Sequence, residues 1–163
     1  MAIKRLILMA ILCLNSVWAT AVDLEVVDLS GQPANLSQMA AQQQWNIIMV
    51  WATYCPACKK DFPQLNAFID QYRNDPVRVV GVAVDGPEKI TLVARTARSY
   101  DLKFVNAVID VNDFAGHYQF ETDQFFAGTP TYMVYNPDGK LVSYGPGGMD
   151  FAALSAFMKA QLE

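Results

Sequence analysis

The segment Trp45–Trp51, Trp-Asn-Ile-Ile-Met-Val-Trp, is short and almost continuously apolar. Such a run reads as a strand covered on both faces, which belongs in the middle of a largely parallel sheet. Just after it the period changes. Phe62, Leu65, Ile69 and Tyr72 recur at i, i+3, i+7 and i+10, one face of a helix, with Pro63 inside the pattern and a kink expected there. A buried strand handing straight to an amphipathic helix calls for helices packed on a sheet. Two of the three cysteines, Cys55 and Cys58, fall at that seam.

The rest of the chain fits the same frame. Val77–Val84 is a second buried strand, and Asp85-Gly86-Pro87 opens a helix with Ile90, Val93, Ala94 and Ala97 on one face. Phe104–Ile109 is a third strand. Residues 131–135 and 140–144 are strands joined by Asn136-Pro137-Asp138-Gly139, a strong hairpin turn. Asp150 caps a last helix with Phe151, Leu154, Phe157, Met158 and Leu162 inward. Near the start, residues 24–36 form a small hairpin around Ser30-Gly31. Phe114, Tyr118, Glu121 and Phe125 allow a helix between 112 and 126, weakened by Gly116. The predicted class is α/β, a central mixed sheet flanked by helices.

The N-terminus stands apart. Lys4 and Arg5 precede the apolar run Leu6–Leu14, then come Asn15, Ser16 and the small residues Ala19 and Ala21. Residues 1–19 read as a secretory signal peptide and 22–163 as one domain. The run is shorter than the roughly 18–20 residues of a spanning helix. Cleavage is expected, with retention as a membrane anchor the alternative. Leu12 before Cys13 argues against lipidation. Without the signal the chain carries 10 basic and 16 acidic residues, a charge of −6, which gives nucleic acid no footprint. Export places Cys55 and Cys58 in an oxidising compartment. As a staple their tiny loop would contribute only about 2 kcal/mol, against about 3 for a fifteen-residue loop. A redox pair is the better reading.

Cys55 at a helix N-terminus meets free amides and the positive dipole end, both of which favour a thiolate. A thiol of pKa about 8.5 is about 3% ionised at pH 7, and one lowered to about 7 is half ionised. Cys58 lies one turn inward, within disulfide reach. Lys59 adds positive potential or simply faces solvent.

Trp51-Ala52-Thr53-Tyr54-Cys55-Pro56-Ala57-Cys58, with Asp61 after it and Gly128-Thr129-Pro130-Thr131 downstream, resembles the active site of the thioredoxin superfamily. The fuller string from Val50 to Leu65 is similar to the TlpA/ResA/DsbE group of bacterial extracytoplasmic thiol–disulfide oxidoreductases. The resemblance covers residues 24–162. It implies a thioredoxin-like fold with an N-terminal β-hairpin and a central helix–strand insertion at 87–109. It implies Cys55 as attacking and Cys58 as resolving cysteine, paired as a redox disulfide. Thr129 and Pro130 match the cis-proline loop that pairs with substrate backbone, and Trp51, Tyr54 and Pro56 flank the substrate site. Trp51 also reads as packing beneath it. Asp61 stands where the group has an acid, usually Glu, that adjusts cysteine ionisation. Met49 replaces the buried Asp of cytosolic thioredoxins, and no other acid is expected near the motif.

The group implies no cofactor and no metal. It implies protein disulfides as substrates, apocytochrome c among them, a DsbD- or CcdA-like membrane electron donor, and a periplasmic location. The net direction is expected to be reductive, with a DsbA-like dithiol oxidant as the alternative, since proline after the first cysteine occurs in both. A Cu(I)-binding carrier needs only two thiolates and stays open. Zinc wants four ligands, and the exported part offers two cysteines and His117. A peroxidase reading fails on spacing, Thr53 lying only two residues before Cys55. His117 reads as a surface or satisfied residue, and Phe125 and Phe126 as core or as an apolar lip beside the proline loop.

Overall fold

A computed structural model describes residues 23–163, so the expected signal peptide lies outside the described residues. Among them, seven strands form one sheet. In chain order the elements are β1 (Glu25–Asp28), β2 (Pro33–Asn35), α1 (Leu36–Met39), β3 (Trp45–Trp51), α2 (Pro56–Gln71), β4 (Val77–Ala83), α3 (Ile90–Ser99), β5 (Val105–Val108), α4 (Val111–Thr122), β6 (Thr131–Tyr135), β7 (Leu141–Pro146) and α5 (Phe151–Leu162). The spatial strand order is β2-β1-β5-β4-β3-β6-β7. The pairs β3–β4 and β4–β5 are parallel, and every other pair is antiparallel. All seven residues of β3 are buried, as its apolar run requires.

Register decides which helix covers which face. Tyr144 pairs with Met133 across β6–β7 and stacks edge-on against Tyr118 of α4. Tyr132, on the other side of β6, meets Phe151 of α5 and Asp61 of α2. So α4 covers one face, while α2 and α5 cover the other. Trp51 and Phe62 pack edge-to-face at 5.3 Å between β3 and α2, and Tyr100, which ends α3, packs on Phe62 from that same side.

Four details refine or depart from the sequence expectations. Pro63 does not interrupt α2, which continues to Gln71; its missing N–H leaves the Lys59 carbonyl without the usual i−4 donor. Pro87–Lys89 forms a 3-10 turn before α3 proper. The uncertain stretch is helical from Val111 to Thr122, capped by Asp110 and closed by Asp123 in the left-handed region. Gly116 sits there in open space, so it costs helix propensity but no packing. The buried face of α4 is Phe114, Tyr118 and Thr122, leaving Phe125 beyond the helix and 83% exposed. Phe157, expected inward, is 39% exposed and packs T-shaped against Trp45 of β3.

Candidate active site

The site forms where β3 ends and β6 begins. These strands run antiparallel with Val50 opposite Thr131, so the residues after Trp51 and those before Thr131 share one end of the sheet. The first group carries Cys55 and Cys58, and the second carries Thr129 and Pro130.

Cys55 is the N-cap of α2, with extended backbone angles. Its N–H donates to the Ala52 carbonyl at 3.1 Å, which turns the chain from strand to helix. Pro56 occupies the first helical position, where a missing N–H costs nothing. The Cys58 amide then donates to Cys55 Sγ at 3.0 Å. That amide and the helix dipole stabilise negative charge on Cys55 sulfur once the pair is reduced. In the structure the two are joined as a disulfide, with Cα atoms 5.4 Å apart. Cys55 is 5% exposed and Cys58 fully buried, so only Cys55 offers a route to a partner sulfur. Tyr54, at 68% exposed, and Pro56 lie on the surface beside it.

The Thr129–Pro130 peptide bond is cis. Pro130 is buried and Thr129 half-buried. The Pro130 carbonyl accepts from Gly147 N–H at 2.8 Å, and Gly147 has φ +100°, so the β7–α5 loop closes over the proline only with glycine at that point. The Thr131 hydroxyl donates back to the Gly128 carbonyl at 2.6 Å.

Trp51 has no exposed surface. That corrects its place among substrate contacts: a side chain without accessible area touches no client. Its indole N–H donates to Asn106 Oδ1 at 2.9 Å, and Asn106 in turn donates to the Phe104 carbonyl. Asn106 fits only because Gly81 has no Cβ, the space being filled by the amide oxygen. The tryptophan is therefore a fixed floor under the motif. Met49 is fully buried in β3 as expected of an apolar replacement.

Asp61, one turn beyond Cys58, is 7% exposed. Its Oδ2 accepts from the Tyr132 hydroxyl at 2.9 Å and from Met149 N–H at 3.4 Å. Gly148 lies against the same carboxylate, where a Cβ would come 3.3 Å from Oδ1. Burial first, then the neighbouring Asp61 charge and hydrogen bond, push the Tyr132 phenol far above its ordinary range. Tyr132 thus remains a donor at any ordinary pH. Tyr132 and the loop Gly147–Met149 were invisible to sequence reading, although the Gly-Gly pair before the capping Asp150 marked a close approach.

A second buried acid lies beside the motif, contrary to the sequence reading. Asp85 is 5% exposed and accepts the Thr53 amide at 3.0 Å and the Thr53 hydroxyl. The parallel register explains it. Trp51 pairs with Ala83, and Val84 N–H donates to the Trp51 carbonyl, so the residue after Val84 arrives beside Thr53. His117 is half-buried on α4, with Nε2 unpartnered among the described residues and its pKa lowered by burial, the Asp23 charge opposing. No group of metal-ligating side chains occurs among the described residues.

Comparison with known proteins places this geometry. Residues 17–144 match the AhpC/TSA family. ResA of Halalkalibacterium halodurans, a thiol–disulfide oxidoreductase, is 25% identical over 142 residues, covering 85% of this chain and 73% of that protein. Two crystal structures share the fold. StoA from Bacillus subtilis superposes with a TM-score of 0.61 at 23% identity, covering 83% of this chain and 95% of that one. A secreted Mycobacterium tuberculosis disulfide oxidoreductase homologous to DsbE gives 0.66 at 20% identity, covering 86% and 97%. The thioredoxin-like fold expected from the motif is the fold observed, with its N-terminal hairpin and helix–strand insertion in place. With a Cys-x-x-Cys disulfide at the head of α2, the chain belongs to the AhpC/TSA family and is a thiol–disulfide oxidoreductase of the ResA, StoA and DsbE kind.

Proposed function

We propose that this protein is an exported reductant of protein disulfides, with Cys55 as nucleophile and Cys58 as resolving thiol. One observation carries the assignment of roles: Cys55 caps α2 and receives the Cys58 amide on its sulfur, while Cys58 is sealed below. The Cys55 thiolate attacks a client disulfide sulfur, forming a mixed disulfide and expelling one client thiolate, which takes a proton. Cys58, deprotonated in turn, attacks Cys55 sulfur, releases the second client thiolate and leaves the Cys55–Cys58 disulfide. A membrane dithiol donor of the DsbD or CcdA kind then returns two electrons and two protons.

An extended client segment pairs with the Thr129 backbone beside the cis bond, as in strand addition, while Tyr54 and Pro56 flank its cysteine. Clients are folding or unfolded polypeptides with a disulfide to open, apocytochrome c before haem attachment among them. Residues 1–19 act as a signal, which sets the work outside the cytoplasm. The similarity to ResA, and the acid at Asp61 that the group uses near its cysteines, favour the reductive direction. Asp61, held against Tyr132, tunes thiol ionisation without itself attacking.

Equilibration with glutathione tests the direction. A reductant poises well below the glutathione range of roughly −220 to −260 mV, while a value near −120 mV marks an oxidant of the DsbA kind and would overturn this reading. Asp61→Asn should displace the pH profile of Cys55 alkylation; an unmoved profile returns Asp61 to a purely structural place.

A further inference from the structure

We propose that Asp85 is a positioning residue of the dithiol: its buried carboxylate fixes the loop before Cys55, and its charge biases the Cys55–Cys58 pair toward the disulfide. Among the described residues Asp85 forms no ion pair. The ion pairs among the described residues are Lys89–Glu88, Lys103–Asp70 and Lys159–Glu163. Its oxygens take both polar hydrogens of Thr53, the amide and the hydroxyl. Cys55 lies two positions after Thr53, so their Cα atoms are at most about 7 Å apart. A buried carboxylate bonded to Thr53, just before the cysteines, and in no ion pair among the described residues disfavours a thiolate on Cys55. The disulfide carries no such charge. The carboxylate therefore raises the free energy of the ionised dithiol relative to the disulfide, which makes the reduced pair the stronger electron donor.

Backbone hydrogen bonds on both sides of Asp85 join it to the fold. Val84 N–H is bonded to the Trp51 carbonyl, Gly86 N–H to the Ile109 carbonyl, and Gly86 has φ +91°. The backbone on either side of Asp85 is thus held to the end of β3 and to Ile109. β3 carries Met49 in its core, and the acid on this side of the motif comes from the turn that follows β4. Other titratable or charged groups around the motif sit elsewhere: Lys59, Lys60 and Asp61 on α2, Tyr132 on β6, and Glu88 folded over Gly86. Substituting Asp85 leaves them all in place.

The inference rests on Cys55 being the thiol that ionises. Asp85→Asn keeps one acceptor for Thr53 and removes the charge. In glutathione buffers it should shift the equilibrium about tenfold toward the dithiol, about 30 mV less reducing, and move Cys55 alkylation to lower pH. Asp85→Glu keeps the charge and should stay within about twofold of the parent. Thr53→Val removes a hydrogen bond but no charge, so it should lower stability and leave the equilibrium within about twofold. An Asp85→Asn equilibrium unchanged within twofold would overturn the proposal, as would Asp85→Glu or Thr53→Val moving as far as Asp85→Asn. If Asp85→Asn does not fold, the parent supplies the test. The Asp85 carboxyl carbon resonance should inflect where Cys55 ionises in the reduced protein and not in the oxidised one; no inflection overturns the proposal. Failure of the Cys55 reading would show separately, as alkylation mapped to Cys58.

Discussion

Asp61 and Asp85 are both buried carboxylates beside the cysteines, yet they are held from opposite directions. Asp61 is a neighbour of Cys58 in sequence and is gripped by distant elements, Tyr132 on β6 and Met149 in the loop before α5. Asp85 is distant in sequence and grips the motif itself, through Thr53. The first acid depends on the proline side of the site being assembled, because the loop that touches it also closes over Pro130. The second depends only on the β3–β4 register. The contrast separates two kinds of anchoring, one through the loop that closes over Pro130 and one through the strand register.

The largest stability effect should come from Asp85→Ala, which strands the Thr53 amide and hydroxyl without an acceptor. We expect a loss of about 2–4 kcal/mol in urea unfolding; a loss under about 0.5 would mean water replaces the carboxylate and the grip on the motif is slight. Tyr132→Phe removes one donor from Asp61 and should cost about 1–3 kcal/mol. It also carries a pH signature. The Tyr132 pKa is raised in the folded protein, so its contribution is complete below the unfolded value of about 10 and is lost as pH rises beyond it. Tyr132→Phe should flatten the alkaline decline, though not abolish it, because burial raises Tyr135 as well. An unchanged slope would contradict the raised Tyr132 pKa, whose first cause is burial. The smallest effect belongs to Gly148→Ala, whose new methyl presses on the Asp61 carboxylate. Stability should fall by less than about 1 kcal/mol, while Cys55 alkylation shifts in pH; a silent profile would show that Asp61 yields without consequence.

The sheet, the helix after it and the cysteine pair were legible because each rests on local pattern. An apolar run such as Trp45–Trp51 has one comfortable position, and Cys55-Pro56 at a strand–helix seam carries its own capping chemistry. The cis bond at Pro130 was legible from resemblance. What stayed hidden depends on register and on voids. Asp85 reaches Thr53 only through strand pairing, Asn106 reaches Trp51 only past Gly81, and Tyr132 reaches Asp61 across α2 and β6. None of these leaves a periodicity in the chain. Phe157 misled for the opposite reason: helical spacing gives the face of α5 but not how far the sheet edge extends beneath it, so the ring stays partly in solvent.

The central claim is the division of labour between the two sulfurs. Cys58→Ser and Cys55→Ser proteins, each reduced and then offered a protein client with an intact, accessible disulfide, measure it directly by covalent complex on a non-reducing gel. Cys58→Ser should accumulate the mixed disulfide through Cys55, since the resolving thiol is gone, and Cys55→Ser should form almost none, since Cys58 is buried at the helix interior side of the pair. Equal trapping by the two variants, or trapping by Cys55→Ser alone, would contradict the account.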